Sequence, residues 1–104
     1  MYEFIESSIF ARYVYDYLTD DEYAALQWYL SEHPEAGDLV PGSAGCRKLR
    51  WGTENAGKRG GVRVIYYGQT AAGLIWLLAI YAKTKRDNLP AHVIRMLKEQ
   101  LVEP

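Results

Sequence analysis

The sequence predicts an α+β domain: a mainly antiparallel sheet of about four strands, two helices from the first half of the chain and one from its end. Two observations carry this. Apolar residues recur at spacings of three and four from Ile9 to Leu30, then alternate or run on between Cys46 and Tyr81, so the period changes once, from helical to extended. The change falls in a stretch punctuated by Gly37, Pro41, Gly42 and Gly45, where a loop is expected.

Met1 to Ile5 is short and partly alternating and is expected to be the first strand. Ser7 or Ser8 caps a helix striped by Ile9, Phe10, Tyr13, Val14, Tyr17 and Leu18. Thr19 and Glu22 form a capping box for a second helix, with Tyr23, Leu26 and Leu30 as its stripe and Pro34 beyond its end. The tight joint makes the two an antiparallel pair. Three strands follow, Cys46 to Trp51, Val62 to Tyr67 and Leu74 to Tyr81, the last two joined by a short hairpin loop. The third is apolar on both faces, as a doubly covered strand is. Asn88 and Pro90 open a final helix with Val93, Ile94, Leu97 and Leu101 on one side. The helices are expected on one face of the sheet, leaving the other bare.

At 104 residues the chain is read as one domain spanning residues 1–104, and 49% apolar content excludes a disordered protein. The longest apolar run, Leu74 to Ala82, is nine residues, well short of the ~20 that a membrane span needs. With a lone Cys46 and no charged n-region before an apolar stretch, a soluble cytoplasmic protein away from membranes is expected.

The net charge of -1 conceals a division along the chain. Residues 1–46 carry nine acids against one base, Arg12, whereas residues 47–86 carry nine bases against one acid, Glu54. A concentrated basic block attracts phosphate whatever the total charge, so the partner expected for the middle segment is nucleic acid. Strand alternation sorts the block. Lys48 and Arg50 share one side, Leu49 and Trp51 the other, and Arg63 stands opposite the core residues Val62 and Val64. Lys83 lies just past the end of the last strand. If the strands are neighbours, Lys48, Arg50, Arg63 and Lys83 converge on one face. The bland alternative is an ordinary solvated sheet face, but such a face usually mixes signs, and this cluster repels itself unless an anion is bound.

Gly52, Gly57 and Lys58 mimic a phosphate-binding loop, but Arg59 replaces its Ser or Thr and a strand follows where a helix is required. Lys58 and Arg59 read better as a basic turn on an RNA backbone, or as a solubilising loop. Cys46 reads as a packed small hydrophobe, His33 as a surface turn residue, and Trp28, Trp51 and Trp76 as core. No cofactor or metal is called for.

Cys46-Arg-Lys-Leu-Arg50, Val62-Arg-Val-Ile-Tyr-Tyr67 and Ile80-Tyr-Ala-Lys83 before a final helix together resemble the RelE superfamily of toxins. Phe4-Ile-Glu6, Pro34-Glu-Ala-Gly-Asp38 and Lys58-Arg-Gly-Gly-Val-Arg63 are similar to its HigB branch. The resemblance covers nearly the whole chain and implies the toxin of a type II toxin-antitoxin system. Such a toxin is a ribosome-dependent endoribonuclease that cuts messenger RNA in the decoding site and so inhibits translation. Its implied partners are the ribosome, the message and a cognate antitoxin with a helix-turn-helix domain, through which alone it meets operator DNA.

RNA cleavage of this kind uses the ribose 2'-hydroxyl against the adjacent phosphorus, so one proton must be accepted, another donated and a dianionic transition state neutralised. By the resemblance, Lys48 and Arg50 stand near that hydroxyl and phosphate, with Lys48 as candidate base, and Arg63 matches the arginine that holds the phosphate. The family's later arginine and tyrosine are replaced by Thr84 and Pro90. Lys83, Lys85 or His92 is then the candidate acid, and Tyr81 or Tyr67 the candidate stacking group. Arg47, Lys58, Arg59 and Arg86 complete the expected RNA contacts. Two other functions compete: a ParE-like inhibitor that binds DNA gyrase without catalysis, and a non-catalytic RNA-binding module.

Overall fold

A computed structural model of the chain describes residues 2–52, 61–83 and 88–103. Strand β1 (Glu3–Glu6) leads into helices α1 (Ser8–Tyr17) and α2 (Asp20–Glu32). A two-residue strand β2 (Asp38–Leu39) precedes β3 (Arg47–Trp51), β4 (Val62–Gln69), β5 (Leu74–Ala82) and helix α3 (Ala91–Val102). Local chemistry accounts for the helix starts. The Ser7 hydroxyl accepts from the Phe10 amide at 2.9 Å and donates to the Leu78 carbonyl at 2.7 Å, so the α1 cap also ties that helix to the sheet. Thr19 and Glu22 form the reciprocal capping box expected of them.

The five strands lie in the order β1-β5-β4-β3-β2, with β1 parallel to β5 and every other pair antiparallel. The fold class is the expected one, with β2 as an additional strand at the edge beside β3. The helices, however, do not share one face. Phe10, Val14, Leu26 and Leu30 of the two front helices pack with Leu49, Val64, Tyr66, Ile75 and Leu77 on one side of the sheet. Ile94 of α3 packs with Ile65, Leu78 and Ala79 on the other. The reason is visible in the alternation: neighbouring residues Val64 and Ile65 are both fully buried, which requires a cover on each face. Each large side chain buried this way contributes roughly 1.5–3 kcal/mol relative to exposure.

Trp28 also departs from expectation. It is 66% exposed, because it lies two residues, about 200°, around α2 from the buried stripe residue Leu26. His33 ends α2 as an exposed C-cap, and Cys46 is fully buried. Burial pushes the Cys46 thiol up from its ordinary range, the behaviour of an inert packed group. No described helix is long and apolar enough to cross a membrane.

Candidate active site

The antiparallel register sets Arg50 of β3 directly opposite Arg63 of β4, and Arg63 opposite Tyr81 of β5. Cross-strand partners project to the same face, so the three residues form a row across the sheet. Lys48, paired with Ile65, stands on the same face two residues along β3, about 6–7 Å away by strand rise. Its Nζ donates to Asn88 Oδ1 at 2.7 Å, so the amino group is aimed by the segment that enters α3. Lys83 is exposed one residue past β5, at the same end of the sheet, since Ala82 pairs with Val62 and Val62 with Trp51.

Two glycines hold this arrangement. Gly61 has φ +67°, and a Cβ there would overlap the Trp51 carbonyl oxygen. Only glycine lets β4 begin so close to the end of β3, the approach that sets Arg63 opposite Arg50. Gly37, with φ +81°, is likewise pressed against the Lys48 carbonyl. The electrostatics follow from composition: β3, β4 and β5 contain no Asp or Glu. Like charges directly opposite on adjacent strands are destabilising, and two guanidinium forks on one face match the oxygens of a phosphate. Among the described residues, no three His, Cys, Asp or Glu side chains converge as metal ligands would.

No family model matches the chain. Among solved structures it is similar to a doubly substituted mutant of the E. coli toxin RelE in the free state, at 14% identity, covering 91% of this chain and 94% of that one, with a TM-score of 0.57. The chain has the fold of RelE.

Within this RelE-like fold the other candidate residues scatter. Arg47 pairs with Tyr66 and faces away from the cluster, its Nη1 donating to the Gly37 carbonyl at 3.3 Å. Tyr67 shares the cluster's face, but it lies four residues along β4 from Arg63, about 13 Å, under Lys98, whose Nζ is 4.5 Å from its ring centroid. It is not brought to the row as a stacking group. Tyr81 is beside Arg63 yet only 8% exposed, so its ring offers no open face to a base. His92 is exposed near the start of α3. The face expected to be helix-free carries α3 over Ile65 and Ala79, while Arg50 remains exposed and Arg63 half-buried beyond it. Lys58, Arg59, Lys85 and Arg86 lie outside the described residues, as does Thr84. In the sequence Asn88 signals only a helix start. A side chain that reaches 40 residues back to a strand leaves no local trace in a sequence.

Proposed function

We propose that this chain is a HigB-like toxin of a type II toxin-antitoxin system and cleaves messenger RNA on the ribosome through attack by a ribose 2'-hydroxyl. The observation that carries the reading is the placement of Arg50 opposite Arg63, with Lys48 on the same face and no acid in the three strands, in a domain with the fold of RelE. In this reading Arg50 and Arg63 hold the scissile phosphate and stabilise the charge that grows on its oxygens. Lys48, aimed by Asn88, accepts the proton of the 2'-hydroxyl. The oxygen bonds to phosphorus, the bond to the 5'-oxygen breaks, and that oxygen takes a proton from Lys83 or His92. The products are a 2',3'-cyclic phosphate and a 5'-hydroxyl. A helix-turn-helix antitoxin holds the activity in check.

The test is a purified translation reaction in which message ends are mapped. Cuts within ribosome-occupied codons, lost about 100- to 1000-fold in Arg63→Ala, are the expected result. Intact message together with blocked DNA supercoiling by gyrase would replace this reading with the ParE-like one.

A further inference from the structure

We infer that a pocket at the free edge of β5 takes the base of a nucleotide next to the scissile phosphate, stacked on Tyr13; this rests on the reading of Arg50 and Arg63 as phosphate contacts. The pocket exists because β1 is short. β1 pairs with β5 only from Leu74 to Leu77, and the chain then turns at Ser7 into α1. Past Leu77, no described strand lies on that side of β5. A cavity of about 410 Å³ occupies the gap, with Ala79, Ile80 and Tyr81 of β5 along it and Ile9, Tyr13 and Tyr17 of α1 across from them. Ile80 packs on the α1 side of the sheet and Tyr81 on the α3 side, so a cavity that touches both lies at the edge and not under either face.

The α1 wall is more apolar than packing on the sheet requires. Residues four apart share a helix face, so Ile9, Tyr13 and Tyr17 form a second apolar stripe beside the buried Phe10 and Val14. Ile9 is 42% and Tyr13 40% exposed. A contiguous exposed stripe of this kind marks a binding surface.

Two links join the pocket to the basic row. Tyr81 is the register partner of Arg63, one strand spacing of about 4.8 Å away. Leu89, also in the lining, directly follows Asn88, whose Oδ1 accepts from Lys48 Nζ at 2.7 Å. A nucleotide whose phosphate lies on Arg63 therefore has this pocket within reach of its base.

Chemistry selects the occupant. Among the described residues the lining holds no charged side chain, and three of its members are tyrosines, rings that each carry a hydroxyl. A nucleobase matches, with flat apolar faces, hydrogen-bonding edges and no charge. Tyr81 is too buried to stack, so the exposed ring of Tyr13 is the platform. The Arg12 guanidinium, 5.5 Å from the centroid of that ring, adds a positive charge beside it, and Asp16, the one acid of α1, is outside the lining.

The test measures the affinity of the full chain for ribosomes with a vacant codon in the decoding site, which reads binding whether or not the message is cut. The 2'-hydroxyls of that codon are methylated to block cutting, and its bases are removed one position at a time. At one position, loss of the base is expected to weaken binding about tenfold. Tyr13→Ala is expected to weaken binding to the intact message by the same factor and to be indifferent to loss of that base, because ring and base form one contact. Tyr13→Phe, which keeps the ring, is expected to bind like the parent. An unchanged affinity in Tyr13→Ala would overturn the site. So would an equal loss on every message, which would give the ring to a protein surface, or self-association of the chain that Tyr13→Ala abolishes. Cutting in the translation reaction without this coupling would remove the base site and leave the nuclease reading; coupling without cutting would do the reverse. Absence of binding to any of these ribosomes would overturn both.

Discussion

Asn88 holds the amino group of Lys48 at 2.7 Å, which makes it the positioning residue of the proposed base. Asn88→Ala is expected to lower the single-turnover cleavage rate about tenfold while leaving the affinity for the ribosome-message complex unchanged, because it touches aim and not phosphate binding. Equal losses in rate and affinity would assign it a structural role instead. A second residue-scale expectation concerns Tyr66, fully buried, whose hydroxyl donates to the Ala36 carbonyl at 2.6 Å. Burial pushes its ionisation up to about 12 from an ordinary 10.0. The unfolded chain then loses that proton first, so folding stability falls as pH rises from about 10 towards 12, by roughly 1.4 kcal/mol per unit from this group. Denaturant midpoints at pH 9, 10 and 11 check it, with Tyr66→Phe giving a shallower alkaline slope. Among the site residues, strand parity alone grouped Lys48, Arg50 and Arg63; Arg47, expected among the RNA contacts, has the opposite parity and faces away from them. Parity reports the face but not the distance along a strand, which is why Tyr67 shares the face of Arg63 and yet stands about 13 Å along β4 from it.

At the scale of elements, the junction of β3 and β4 matters most, since Gly61 closes it at φ +67° against the Trp51 carbonyl. Gly61→Ala is expected to cost about 1–3 kcal/mol and to depress cleavage along with stability, as β4 is pushed from the register that opposes Arg63 to Arg50. A thermal melt beside the activity assay tests this, and a variant as stable and active as the parent would show that the junction does not hold the site. The helices and the three long strands were legible because each shows its own period and carries caps, Thr19 and Glu22 above all. β2 was not, since two residues have no period. Nor was the side on which α3 docks: an amphipathic helix declares that it buries one stripe, not against which face. The signal was there in β5, apolar on both sides, which a sheet covered on one face alone does not require.

For the molecule as a whole, the division of charge along the chain becomes a division in space. Lys48, Arg50 and Arg63 gather on one face beyond α3, and β1 and α2 carry acids and no base. Whether the basic row performs the proposed chemistry on RNA is decided by a message carrying a single 2'-deoxy nucleotide at its main cleavage position, on ribosomes paused there. The all-ribose message is expected to be cut to leave a 2',3'-cyclic phosphate, and the deoxy message to survive at that position. Cleavage of both alike, or of neither, would contradict it.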